Sequence, residues 1–573
     1  MNAPQVAAAL TEIGTLLELQ GANPFKSQAY HTAARLVETL DGDLTTIVAE
    51  GKLASIRGIG ETLREAITAL VQDGHYALLD DLRAKTPPGL IQMLRLPGLG
   101  PKKVKALHEH GISDLDALQK ACEDGRVAAL KGFGAKTQEK ILAGLAFLAQ
   151  AGQRVRLDQA SELADSILAA LRKVPGVVRL EACGSLRRRR ETVGDIDILC
   201  TSTDPAAVMR AFIKLPAVTQ VVNQGETLSS VMLGVGRRGL QIRGDLRVVT
   251  DDQFPYALHH FTGSQAHNVA LRTRWKEKGF KINEYALTGP GGPIACKTEA
   301  DVFAALGLDY VPPELREDTG EIEAAGKHEL PRLVEVKDIR GVFHNHTTAS
   351  DGGASLEEMV EAAQAIGFQY LGIADHSQSL TVARGLTPDR VRQQQRQIDE
   401  LNDSLDGFRV FKGTECDILP DGRLDFDDKL LETFDYVVAS VHSHFGLSRE
   451  EMTDRMVRAV RHPLVTMLGH ATGRLLLKRD GYQVDLDAVL QAAAEAGTMV
   501  EINAQPSRLD LDWVHCKRAK ALGVRLVINP DAHSTEELEL YTYGVDVARR
   551  GWLEKGDVFN TLTAALVGRA LGV

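Results

Sequence analysis

At 573 residues the chain is long enough for three or four domains, each with its own core. Its six cysteines form no Cys-x-x-Cys pair, its amino terminus has no basic-then-apolar leader, and no apolar run reaches the roughly eighteen residues of a membrane span, which disfavours a disulfide framework, a zinc ribbon and a membrane partner and points to a cytoplasmic protein. The net charge of −11 argues against nucleic acid only while the chain is taken whole: residues 331–573 hold 27 Lys+Arg against 37 Asp+Glu (−10), whereas residues 94–311 hold 30 against 23 (+7).

Three early segments repeat one design. They are Ile56-Arg57-Gly58-Ile59-Gly60, Leu96-Pro97-Gly98-Leu99-Gly100-Pro101-Lys102-Lys103 and Leu130-Lys131-Gly132-Phe133-Gly134-Ala135-Lys136. Each reads as a helix, a Gly-x-Gly turn and a second helix. The glycines permit positive φ and a close approach of the backbone, and the following helix turns unpaired amides toward a phosphate, which is the helix-hairpin-helix way of holding DNA without reading its sequence. One Gly-x-Gly usually does no more than end a helix. Three at spacings near forty, two with trailing lysines, predict DNA.

Next comes Gly184-Ser185, then Arg187 to Arg190, then Gly194-Asp195-Ile196-Asp197-Ile198-Leu199. A phosphate-binding turn thus precedes two carboxylates on an apolar strand. Period two places both aspartates on one side and Ile196 and Ile198 behind. Oxygen ligands suit magnesium, and two cations roughly 3.5–4 Å apart can clamp the attacking and leaving oxygens of an in-line displacement. Asp245, opening the apolar run Leu246-Arg247-Val248-Val249, supplies a third carboxylate from an adjacent strand, placed to take the proton from an attacking hydroxyl.

After Pro312-Pro313 an acid-rich stretch, Glu314, Glu317, Asp318, Glu321, Glu323 and Glu329, reads as a linker. A second constellation follows: His344-Asn345-His346, Asp351, Asp375-His376, Glu415, His442-Ser443-His444, His470 and Asp531-Ala532-His533. His-x-His and Asp-x-His each close an apolar run, 339–343 and 524–528, so their paired ligands point from strand ends into one pocket. Alternating helix and strand patterns, 356–365 then 370–374 and 487–496 then 499–502, indicate a β/α barrel with its chemistry at the strands' carboxyl ends.

The order Gly184-Ser185, Gly194-Asp195-Ile196-Asp197 and Phe261-Thr262-Gly263-Ser264 resembles that of family X DNA polymerases. The resemblance implies that Asp195, Asp197 and Asp245 hold Mg2+ or Mn2+, and that Gly184, Ser185, Arg188 and Gly194 bind the triphosphate of a dNTP. It implies that Phe261 and Gly263 line the sugar pocket, and that Asn268 and Arg272, four apart on a helix, contact the nascent base pair. The chain departs at His260, where tyrosine is usual, and at Arg243-Gly244, two residues beyond the usual strand entry, which leaves the face of Asp245 unchanged. Lys26 and Tyr30 match contacts to a DNA 5′-phosphate. Aligning Gly58 and Gly60 puts Ala66 where some relatives carry a Schiff-base lysine, so lyase activity by that route is expected to be weak or absent.

The second constellation resembles the PHP domain, a distorted (β/α)7 barrel holding up to three Zn2+ or Mn2+ ions. By that resemblance His344, His346, Glu415 and Asp531 hold one ion, Glu415, His442 and His470 a second, and Asp351, His376 and His533 a third, with Arg384 and Arg474 as phosphate contacts. The implied fold is multidomain α+β and α/β: an amino-terminal helical domain (1–90), a domain of two further hairpins (91–150), a nucleotidyltransferase palm (151–256), a base-pair-binding subdomain (257–312), a linker (313–335) and the barrel (336–573). The expected function is gap filling in DNA repair by a monomer on gapped or primer-template DNA, with a 3′-to-5′ exonuclease or 3′-end phosphoesterase on the same chain. A small-molecule phosphoesterase with a DNA tether, or a non-catalytic DNA-end scaffold, are the competing classes.

Overall fold

The computed structural model describes residues 3–38, 44–56, 58–94, 96, 99–151, 154–236 and 240–573. The chain divides into two compact units, Met1–Gly152 and Gln153–Val573. Among the described residues no helix is long and apolar enough to cross a membrane.

The first unit is helical. Helices Ala3–Gln20 and Pro24–Glu38 pack around Leu10, Ile13, Leu17 and Tyr30, and the core continues through Ile67, Leu70, Val104, Leu107 and Leu118. Each hairpin leads into a helix: Glu61–Gln72 begins after Gly60, Pro101–Glu109 after Gly100, and Ala135–Ala151 after Gly134. Proline at the first position of the second suits a helix start, because its missing N–H is one no helix would use.

The second unit opens with a five-stranded sheet in the order 177–182, 195–202, 240–249, 228–235, 218–224. Strands Asp195–Ser202 and Leu240–Val249 run parallel, with Asp197 paired to Asp245; the other neighbours are antiparallel. Alternate residues Ile196, Ile198, Cys200, Ile242, Leu246 and Val248 are buried against helices Leu157–Leu171 and Pro205–Phe212, which leaves the aspartates on the outer edge of a rigid layer. The third-carboxylate strand starts at Leu240, five residues before the expected entry at Asp245, because Leu240 to Ile242 continue the ladder with Val235 to Leu233.

The segment 313–335, read from composition as a linker, is folded. It contains a 3-10 turn Pro313–Leu315 and a helix Glu321–Lys327, and buries Leu315, Arg316, Glu321 and Ile322. Three of its acids are not solvated spacers: Glu317 lies 3.1 Å from Arg188, Glu314 2.8 Å from Arg549, and Glu321 2.7 Å from His267. Composition registers charge and is blind to partners.

Beyond it seven parallel strands follow one another in chain order, from Gly341–Val342 to Leu526–Asn529. Every residue of six of them is buried, as expected where helices cover one side and the barrel interior fills the other. Phe343, Tyr370, Phe411, Tyr436, Met467 and Phe559 fill that interior, with the Tyr436 hydroxyl donating to the Ile373 carbonyl at 2.9 Å. The first strand is only two residues long, against an expected run over 339–343, since only Gly341 and Val342 keep ladder partners.

Candidate functional site

On the second and central strands of the five-stranded sheet Asp195, Asp197 and Asp245 lie on one face. Asp197 and Asp245 are direct neighbours across parallel strands, and Asp195 shares their face two residues upstream. Burial, with Asp195 and Asp245 beside it, pushes the Asp197 carboxyl up to about 7. Three carboxylates so disposed are a hard-oxygen donor set whose mutual repulsion a divalent cation relieves, so the residues fit the metal pair. Arg243 Nε lies 3.0 Å from Asp245 Oδ1.

Beside the carboxylates lies a cavity of about 580 Å³ lined by Gly184, Ser185, Arg188, Gly194, Asp195, Asp197, Phe261, Gly263, Asn268 and Arg272, among others. Phe261 carries Arg247 over its ring at 4.4 Å, Asn268 Nδ2 donates to the His260 carbonyl at 2.8 Å, and Arg272 Nη2 meets His260 Nδ1 at 2.7 Å. His260 thus ties together the two base-pair candidates. The same cavity takes in Arg154 and Arg190, which sequence reasoning did not select. Arg154 donates to the Thr192 carbonyl and hydroxyl at 2.5 and 2.9 Å, a pairing no local pattern announces.

The four consecutive arginines do not act as one basic patch. Arg187 donates to Thr262 Oγ1 at 2.6 Å and pairs with Glu299 at 2.8 Å, Arg188 reaches Glu317 and the Thr262 carbonyl, Arg189 pairs with Asp546 at 2.5 Å, and only Arg188 and Arg190 line the cavity. Glu299 also meets Arg316 at 2.5 Å; burial would raise its carboxyl, but Arg316 and Arg187 overcome that and hold it well below the usual range.

In the helical unit Lys26, Lys102 and Lys136 are exposed, and nothing lies within 4 Å of where a side chain would begin at Gly60, Gly100, Gly132 or Gly134. Those turns leave the backbone open to a phosphate. Gly58 has positive φ, with Leu36 3.0 Å from its would-be Cβ. Gly98 lies outside the described residues. Tyr30 is 2 % exposed and belongs to the core, so of the two 5′-phosphate candidates only Lys26 stands on the surface. Ala66 is fully buried.

In the barrel, the nine candidate ligands meet at the carboxyl ends of the strands. Glu415 is the hub: its oxygens lie 3.3 Å from His344, 3.7 Å from His346, 2.8 Å from His376, 3.2 Å from His442 and 2.9 Å from His470. Three groups have donor atoms close enough to share an ion: His344, His346 and Asp531; His376, Glu415 and His442; and His346, Asp351, His376 and His533. The first resembles the expected set, whereas His346 and His376 each belong to two groups and His470 belongs to none of the three, meeting Glu415 at 2.9 Å and packing its ring against His442. Buried nitrogens His344 Nε2, His346 Nδ1 and Nε2, His376 Nδ1 and His470 Nδ1 make no well-directed hydrogen bond, even where a carboxylate lies close, and burial with His533 and His376 nearby pushes His346 down to about 4. Imidazole nitrogens so placed next to carboxylates fit divalent cations.

Two acids outside the nine orient the ligands: Asp417 meets His442 Nδ1 at 2.5 Å, and Glu501 meets His344 Nδ1 at 2.6 Å. Asp417 stands two residues after Glu415 on one strand, and Glu501 is a lone charge in an apolar run; both signals were readable. Arg474 donates to the carbonyls of Arg508 and Leu509 rather than facing the cavity, and Arg384 is exposed beside it. The cation that lines this 250 Å³ cavity is Arg508, 3.7 Å from Asp531 and opposite Leu380 and Val382.

Five family descriptions match the chain: helix-hairpin-helix domain over residues 1–76, SAM-like helix-hairpin-helix tandem over 90–146, DNA polymerase beta palm over 154–233, DNA polymerase beta thumb over 257–317, and PHP domain over 343–505. The chain is 39 % identical over 563 residues to the DNA polymerase/3′-5′ exonuclease PolX of Bacillus subtilis, covering 98 % of this chain and 97 % of that one. It is 27 % identical over 291 residues to DNA polymerase lambda of Rattus norvegicus, covering 46 % of this chain and 48 % of that one.

Proposed function

As a member of the family X DNA polymerases with a carboxyl-terminal PHP domain, the chain is a DNA polymerase and a metal-dependent 3′-to-5′ exonuclease, and we propose which residues carry each reaction. The placement of Asp195, Asp197 and Asp245 on one face of the sheet, the first two lining a cavity with four arginines, is the observation that carries the first assignment. The three carboxylates would hold Mg2+ or Mn2+, which supplies charge neutralisation at the reacting phosphate. Arg188 and Arg190, with the open backbone at Gly184-Ser185, hold the triphosphate. Phe261 and Gly263 face the sugar, Asn268 and Arg272 the base pair, and Asp245 accepts the proton of the primer hydroxyl. Lys26, Lys102 and Lys136 with their hairpin turns hold gapped or primer-template DNA by its phosphates.

The second assignment rests on the nine ligands around Glu415. They would hold up to three Zn2+ or Mn2+ ions, whose chemistry is to activate water toward a phosphodiester. Arg508 in this reading steadies the scissile phosphate, the role expected of Arg384 and Arg474. Each cluster is complete within one chain, which supports a monomer, and the domain boundaries follow those set out above, except that 313–335 packs between palm and barrel. A cytoplasmic repair enzyme that fills short gaps is the corresponding cellular reading.

The test uses two variants of the full chain. Asp195→Ala is expected to lose gap filling and keep nuclease, and His344→Ala to do the reverse. Retention of both activities in both variants would refute the assignments.

A further inference from the structure

Arg188 lines the nucleotide cavity, yet its surroundings are built partly by the barrel. It is 8 % exposed, donating through Nε to Glu317 at 3.1 Å and through Nη1 to the Thr262 carbonyl at 2.6 Å. Arg550, at the end of the barrel helix Tyr541–Arg550, donates from one nitrogen to the Arg188 backbone carbonyl at 2.6 Å and to the same Glu317 oxygen at 3.2 Å. The same helix sends Asp546 to Arg189 and Arg549 to Glu314.

Arg550 is a poor choice for stability alone. It is 1 % exposed, and its Nε and Nη2 have no hydrogen-bond partner, the guanidinium lying instead 5.1 Å from the centre of the Trp513 ring. A buried cation with unsatisfied donors is costly compared with an apolar residue of like size. What it does alter is charge. Glu317 is approached by three guanidinium groups, Arg188, Arg550 and, at 3.9 Å, Arg190. One carboxylate shared three ways cannot neutralise Arg188, and two of those three cations line the cavity. Without Arg550, Glu317 would be left to Arg188 and the more distant Arg190, and would compete more strongly with an incoming phosphate.

We propose that Arg550 is a positioning residue for nucleotide binding: the barrel domain holds the Arg188 backbone and takes a share of the Glu317 charge, so that Arg188 can meet the triphosphate. This rests on the reading of Arg188 as a phosphate ligand. Polymerisation is thereby tied to a domain whose own chemistry is hydrolysis.

The test is a dNTP titration in gap filling by the full chain. R188A is expected to raise KM for dNTP. R550M, which keeps the apolar stem, is expected to raise it about tenfold with little change in kcat, as when one charge-assisted hydrogen bond is removed. Nuclease activity stays at the wild-type level. In E317Q/R550M the competing charge is gone and KM returns toward wild type. An unchanged KM in R550M beside a raised one in R188A overturns the inference and leaves the Arg188 reading intact, whereas an unchanged KM in R188A removes that reading itself. A double variant as poor as R550M, or joint loss of kcat, KM and nuclease, also overturns the inference. Should R550M not fold, E317Q alone decides: KM at or below wild type supports it, and KM above wild type overturns it.

Discussion

Glu501 lies 2.6 Å from His344 Nδ1, deep in the barrel, and accepts its proton, so Nε2 is the nitrogen turned to Glu415 and Asp531 and the one that would ligate a cation. A neutral amide at 501 could hold the ring in the other tautomer. Glu501→Gln is therefore expected to weaken metal binding about 10- to 100-fold, read as metal content by mass spectrometry after dialysis, while gap filling is unaffected.

Gly184 has φ +61°, and a methyl group there would overlap the Asp197 carboxylate. Gly184→Ala has to strain the turn and displace a metal ligand together. A shift of about 1 Å at a reacting centre costs on the order of 100-fold, so kcat for gap filling should fall by that amount with nuclease unchanged. A variant of near-normal kcat would show that Asp197 is not held by this turn.

Glu299 joins Arg187 and the fully buried Arg316. Glu299→Gln leaves Arg316 uncompensated, and a loss of about 3–5 kcal/mol is expected at pH 7 in urea unfolding. The folded carboxyl sits below its unfolded value, so its contribution is present above about pH 4.3 and fades as pH falls further. The gap between wild type and variant should narrow in acid. A gap that widens there contradicts the assignment.

Lys102 and Lys136 begin the helices after the second and third hairpins and are exposed. Replacing either with alanine is expected to weaken DNA binding equally on all sequences. The slope of log K against log salt should become shallower by about 0.9 for each phosphate the variant no longer neutralises. A sequence-dependent weakening would argue against backbone recognition.

Ala66 is buried on the inner face of Glu61–Gln72, and the Lys52 ammonium lies 2.6 Å from Glu50. Neither offers the desolvated, unpaired amine that Schiff-base chemistry requires. Borohydride should therefore trap no strong adduct on a 5′-deoxyribose phosphate end.

Both candidate sites were legible where backbone periodicity carries the information. Asp195 and Asp197 share a face because strands alternate, and His344, His346, Asp531 and His533 follow apolar runs because barrel strands deliver their ends to one mouth. What was hidden lies between distant segments. Nothing near Glu317 announces Arg188 or Arg550, so its stretch passed for a linker. Arg508 reaches the barrel cavity from a loop held by Arg474, and loops have no period to read. Glu501 and Asp417 were visible as charges in buried strands, but their roles needed the imidazoles opposite.

The run from Arg187 to Arg190 sends each neighbour to its own address: one to the thumb, one to the shared carboxylate, one to the barrel and one to the cavity rim. Loss of a single codon there would scarcely change the basicity of the protein, yet it would leave three guanidinium groups for four destinations and move the following glutamate to the cavity rim.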